Sequence, residues 1–144
     1  MKKLFLIISL IALCFTVGCE GAKTGGDVVS PGMTDPYIID AVLCVSIEDG
    51  KPVSITNLFL LGERINLWIH WANVKTGQTI KTTWHDPSNK QVGESNIIFQ
   101  AREDRQISIS YIDLNKTSTV TGEWLVKVFL DGVFMRSYLF TISE

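Results

Sequence analysis

The chain predicts an all-β domain, two antiparallel sheets packed face to face, and three observations carry that prediction. From residue 38 onward apolar residues alternate with polar ones at period two. Turn residues interrupt the alternation at short intervals, as in Glu48-Asp49-Gly50-Lys51-Pro52, Lys75-Thr76-Gly77-Gln78, Asp86-Pro87-Ser88-Asn89 and Asp131-Gly132. Nowhere in this stretch is the 3.6-residue period of an amphipathic helix sustained.

In chain order, Ile39, Ala41, Leu43, Val45 and Ile47 are expected on one face of a first strand. A short second strand over residues 53–59 follows, and Leu61-Gly62-Glu63 turns the chain into a third, with Ile65, Leu67, Ile69 and Trp71 inward and Trp68 and His70 outward. Ile80, Thr82 and Trp84 return on one face, and further strands are expected over residues 91–100 and 106–113. The last hairpin is the clearest: Asp131-Gly132 joins two hydrophobic runs, with Trp124, Val126, Val128 and Leu130 pointing to the core opposite Phe140 and Ile142. Seven or eight short strands at this spacing define a sandwich.

The first 36 residues read differently. Lys2 and Lys3 form a positive start, and residues 4–17 are an almost unbroken apolar stretch of fourteen residues. A spanning helix needs about 20 such residues, so this stretch suits a cleaved secretory leader. Thr16-Val17-Gly18-Cys19 resembles the bacterial lipobox, in which small residues precede a cysteine that receives diacylglycerol. Thr16 stands where the lipobox favours Leu, and Cys14 fits poorly after bulky Leu13. The competing reading is an ordinary cleaved signal with a cysteine near the cut. With about 0.8 kcal/mol per buried methylene, two or three acyl chains on Cys19 would anchor the protein in a membrane. Glu20 follows, rather than the Asp that resembles an inner-membrane retention signal, so the expected address is the cell envelope, on the outer membrane if the cell is Gram-negative. Gly21, Gly25, Gly26, Pro31, Gly32 and Pro36 mark a flexible tether. The expected organisation is a leader at 1–18, a lipidated cysteine and tether at 19–36, and a β-sandwich at 37–144.

Lys51-Pro52-Val53, Gly62-Glu63, Leu67-Trp68-Ile69, Thr83-Trp84, Gly122-Glu123-Trp124, Asp131-Gly132 and the closing Phe140 together resemble bacterial exported immunoglobulin-like domains of uncharacterised function. These are strand and turn marks, so the resemblance implies an Ig-like fold and transfers no activity.

Without Lys2 and Lys3 the 13 basic residues fall to 11 against 15 acidic ones, a net charge of −4. No Lys/Arg stripe appears, so no nucleic-acid partner is expected. Cys44 is the one cysteine left in the folded part, which excludes an internal disulfide and leaves a shielded thiol or a route to pairing between chains.

No Gly-x-Ser-x-Gly elbow, phosphate-cradling glycine loop or His-Glu-x-x-His helix is present, so no enzyme, metal or cofactor is expected. His70 and His85 with Asp86 would make a crude metal site only if their strands paired; otherwise they are solvent-facing and turn-proximal histidines. Glu103 with Asp104, and Asp86 with Glu94, read as solvated charges rather than acid/base pairs. Asn115-Lys116-Thr117 matches a glycosylation sequon, irrelevant in a bacterium. The candidate partner surface is the outward apolar set Trp68, His70, Leu125, Phe129, Met135 and Leu139, expected to merge if their strands are neighbours. Covering loops, or a parity slip at a bulge, are the competing explanations. The leading expectation is thus a non-enzymatic, lipid-anchored module that binds a protein partner or itself through the outer face of the last-hairpin sheet. A carbohydrate-binding module is the alternative, with Trp68 and Tyr111 or Trp84 stacking on sugar rings.

Overall fold

A computed structural model of the chain describes residues 34–100, 106–115 and 118–144. The leader, Cys19, all but the last three residues of the tether, Glu103 with Asp104, and Lys116 with Thr117 lie outside the described residues.

The described residues form nine strands: β1 (Tyr37–Glu48), β2 (Lys51–Ile55), β3 (Leu58–Leu60), β4 (Arg64–Ala72), β5 (Thr79–His85), β6 (Gln91–Ile98), β7 (Ile107–Asp113), β8 (Gly122–Leu130) and β9 (Val133–Ser143). They build a four-stranded sheet in the order β2-β1-β4-β7 and a five-stranded sheet in the order β3-β9-β8-β5-β6. The expected all-β, Ig-like sandwich is what the chain forms, with more strands than the spacing suggested. Residues 53–59 are two strands, because the chain crosses between sheets at Thr56 and Asn57, where the Thr56 hydroxyl bonds the Leu58 backbone. β3 then pairs with β9 in parallel, so the five-stranded sheet is mixed rather than wholly antiparallel.

Alternation succeeds where one side of a strand is fully buried. Ile65, Leu67, Ile69 and Trp71 of β4, Ile80, Thr82 and Trp84 of β5, and Trp124, Val126, Val128 and Leu130 of β8 are all buried. Phe140 of β9 lies among three rings: Phe59 and Trp84 edge-on at 5.9 Å, and Trp124 tilted at 6.1 Å. Such pairs contribute about 0.5–1.5 kcal/mol each beyond the area they bury. The aromatic row joins Leu43, Ile65, Leu67 and Ile69 of the four-stranded sheet in one core cluster.

In β1 the expected parity fails at its start. The register shifts between Ile38 and Asp40, so Ile38 packs on the core while Ile39 is 50% exposed. A bulge adds one residue and exchanges inside for outside before it, while Ala41, Leu43 and Val45 keep the expected face. Cys44 is fully buried as a free thiol, and burial pushes its pKa up.

Two hairpin corners are Asp-Gly with both φ positive: Asp49 at 49° with Gly50 at 74°, and Asp131 at 48° with Gly132 at 81°. Such two-residue turns match the twist of the strands they join. Asp131 also accepts the Thr79 backbone N–H and Gln78 Nε2–H, both at 2.8 Å. Those bonds, the backbone one first, hold its carboxyl below the usual range and tie the β8–β9 corner to the start of β5.

β7 inverts the usual distribution, with Ser108 and Ser110 buried and Ile107 and Ile109 half-exposed. Ser108 has a reason: its hydroxyl accepts the Trp71 indole N–H at 2.8 Å. Among the described residues the buried Ser110 hydroxyl has no hydrogen-bond partner. Ser108→Ala should therefore cost about 1–3 kcal/mol by orphaning a buried donor, while Ser110→Ala should be neutral or stabilising. Urea denaturation of the two variants checks this, and equal losses would contradict it.

Candidate functional site

The outer face of the five-stranded sheet is fixed by the inward row. With Ile80, Thr82 and Trp84 inside, Lys81, Thr83 and His85 of β5 must face out; with Trp124, Val126 and Val128 inside, so must Leu125, Lys127 and Phe129 of β8. The β5–β8 register then sets Lys81 opposite Phe129, Thr83 opposite Lys127 and His85 opposite Leu125. Lys81, Thr83, His85, Gln91, Lys127, Phe129 and Gly132 line an open hollow of about 310 Å³ on this face.

The two lysines are in different electrostatic states. Lys81 Nζ lies 2.9 Å from Glu94 Oε2 on β6, and Glu94 also accepts from Asn96 Nδ2 and Gln91 Nε2, each at 3.0 Å. Those donors, Lys81 foremost, hold the Glu94 carboxyl below its ordinary value. Lys127 has no carboxylate within ion-pair distance among the described residues. His85 is held at both nitrogens: Nε2 sits 3.0 Å from Thr83 Oγ1, and Nδ1 sits 3.3 Å from the Asn89 carbonyl oxygen. Phe129 and Phe134 meet edge to face at 5.7 Å at the hairpin end. The face thus offers one unpaired cation, one paired cation, an imidazole and an aromatic pair, a combination suited to an anionic ligand with an apolar part.

The expected partner surface is not assembled. Trp68 and His70 lie on β4 of the four-stranded sheet, their rings 6.0 Å apart, with the Trp68 indole N–H donating to the Gly50 carbonyl at 2.9 Å. Leu125, Phe129 and Leu139 lie on the other sheet, because the chain changes sheets between β4 and β5. Met135 packs against the core instead of facing out, beyond the register shift at Val128 and Phe129. Leu125 and Phe129 are half-buried beside Lys127, and Leu139 is 56% exposed.

The other readings separate in the same way. His70 and His85 sit on different sheets and do not meet. Asp86 is engaged by the Ser88 hydroxyl and the Ser88 and Lys90 backbone N–H groups, which lower its pKa, and Glu94 is held by Lys81. Trp84 is 1% exposed and cannot stack on a sugar, and Tyr111 carries Arg64 over its ring at 4.2 Å. Sequence reasoning missed Lys81, Lys127 and Thr83. Their outward parity was available from the alternation, but their convergence needed the β5–β8 register.

The fold and this face define an Ig-like β-sandwich with a mixed basic and aromatic hollow. No family model matches the chain, and no curated protein matches it. Among solved structures it is similar to Pseudomonas fluorescens alkylpurine DNA glycosylase AlkC bound to DNA containing an abasic site analog, with a TM-score of 0.52 and 13% identity. The match covers 77% of this chain and 31% of that one, so the chain spans about a third of the glycosylase's length. At this identity the likeness shows the fold alone.

The match corrects three expectations. This fold occurs within a chain that is an enzyme and that is bound to DNA. The absence of catalytic motifs therefore does not carry the conclusion that the protein is no enzyme. The absence of a basic stripe likewise does not carry the exclusion of nucleic acid. The expectation of a non-enzymatic module that binds a protein, itself or a carbohydrate is corrected by the same likeness, and the partner surface assigned to it is divided between two sheets.

Replacing Lys81 with Met should raise the Glu94 carboxyl pKa toward its ordinary value, because Lys81 is its strongest stabilising neighbour. A carboxyl-detected NMR titration reads the shift, and an unmoved midpoint would show that Gln91 and Asn96 suffice.

Proposed function

We propose that this domain contacts nucleic acid through the outer face of its five-stranded sheet, with Lys127 and Lys81 on phosphates and Phe129 with Phe134 beside a base or sugar. The observation that carries the reading is Lys127, a cation with no carboxylate partner among the described residues, opposite Thr83 in a hollow edged by an aromatic ring. Phosphate neutralisation beside an aromatic surface is how sequence-tolerant single-strand contact works. The likeness of the fold to part of a DNA-bound glycosylase supports the choice of ligand class. A chain of net charge −2 has no general attraction for a polyanion, so the contact is local and salt-sensitive.

Two lysines correspond to a slope of log affinity against log salt of about −1.4 for a single strand. Fluorescence anisotropy with a labelled single-stranded oligonucleotide, and with a duplex containing an abasic site, should give binding at low salt that Lys127→Glu weakens roughly tenfold, with a single-strand slope shallower by about 0.7. Absence of binding by the wild type, or equal affinity in the variant, would refute the reading.

We further propose that the chain is an exported lipoprotein of the bacterial cell envelope, carrying diacylglycerol on Cys19. Lys2 and Lys3, the apolar residues 4–17 and Gly18 before Cys19 support this address. Nucleic acid met there would be outside the cytoplasm. Labelled palmitate should enter the wild type and not Cys19→Ser; equal labelling, or none in either, would remove the anchor.

A further inference from the structure

We infer that the hollow is a proton-gated phosphate site, in which His85 becomes a third cation beside Lys81 and Lys127 without any side chain moving to a new partner. The inference rests on the nucleic-acid reading above and assigns it a regulation.

The geometry of the imidazole carries the argument. A carbonyl oxygen only accepts, so Nδ1, 3.3 Å from the Asn89 oxygen, is the nitrogen that bears hydrogen in the neutral ring. Nε2 then accepts from the Thr83 hydroxyl at 3.0 Å. Adding a proton to Nε2 reverses that bond: Nε2–H donates and Thr83 Oγ1 accepts, by rotation of one hydroxyl hydrogen. Nδ1–H keeps its carbonyl. Both charge states are therefore satisfied in one conformation, and what changes is the charge of the hollow. Histidine makes this change between about pH 5 and 8.

The charged groups around the ring sort into engaged and open ones. On the following turn, the Asp86 carboxylate is occupied by Ser88 and the Lys90 backbone, with the Lys90 ammonium alongside in sequence. On β6, Gln91 is opposite His85 and Glu94 is held by Lys81. On β8, Leu125 is opposite, flanked on the same face by Glu123 and Lys127. Glu123 is thus the carboxylate on this face of β8, and Lys81, Lys90 and Lys127 are the neighbouring cations. A phosphate bound in the hollow would add an anion beside the ring, so ligand and proton should bind cooperatively, each raising the affinity for the other by the same factor.

The protein has two histidines, and the second, His70, lies on the four-stranded sheet, which gives an internal control. The first measurement is oligonucleotide anisotropy from pH 8 to 5.5 at fixed salt. Wild-type affinity should rise about fivefold toward acid, as one added charge at close range gives, while His85→Gln should stay flat. The second needs no variant: ring-proton NMR titration with and without the oligonucleotide should move the His85 midpoint upward and leave His70 in place. Binding that is independent of pH, binding that depends equally on pH in His85→Gln, or a His85 midpoint unmoved by ligand would overturn the gate and leave the nucleic-acid reading intact. No binding at any pH would overturn both.

Discussion

The aromatic row inside the five-stranded sheet is the constraint on which the rest of the molecule depends. Phe140 is held by Phe59, Trp84 and Trp124, so β3, β5, β8 and β9 each commit one ring to the same layer. A slip of one residue in any of these strands would send its ring into water and bring a polar neighbour inside. Fixing the rings therefore fixes the other side of the sheet. Lys81, Thr83, His85 and Lys127 face outward because Trp84 and Val126 cannot. The hollow is a by-product of core packing, and its chemistry is set by the residues that alternate with the rings.

This explains how much was legible in the sequence. β4, β5 and β8 showed themselves because each buries one side over many residues, while β9 follows from Asp131-Gly132, which marks its corner by backbone geometry alone. β1 was readable only from Ala41 onward, since a bulge leaves no mark in composition. The division of residues 53–59 into β2 and β3 depends on a crossing that local hydrophobicity does not encode. β7 carries Ile107 and Ile109 outward and its serines inward, and Ser108 is inside because Trp71 of another strand needs an acceptor. That is a tertiary reason with no local signal.

The site was less legible than the fold for the same reason. Each outward residue follows from parity, but a surface requires knowing which strands are neighbours. β4 and β5 are adjacent in sequence and lie in different sheets, which separated Trp68 and His70 from Leu125 and Phe129. β5 and β8 are far apart in sequence and adjacent in space, which brought Thr83 to Lys127. Total charge likewise does not say which cations are paired. Glu94 neutralises Lys81 and leaves Lys127, and only the three-dimensional pairing distinguishes the two.

The parallel pairing of β3 has a consequence for solubility. It covers β9 only from Thr141 to Ser143, so among the described residues no strand lies alongside the earlier part of β9 on that flank. A bare flank of this length is a template on which another molecule's strand can lie down, the first step toward fibrils. Here the register shift opposite Val128 and Phe129 bends the ribbon, and the exposed Arg136 puts a charge where an incoming chain would need to settle. The irregularity that turns Met135 toward the core thus also keeps this margin from recruiting copies of itself.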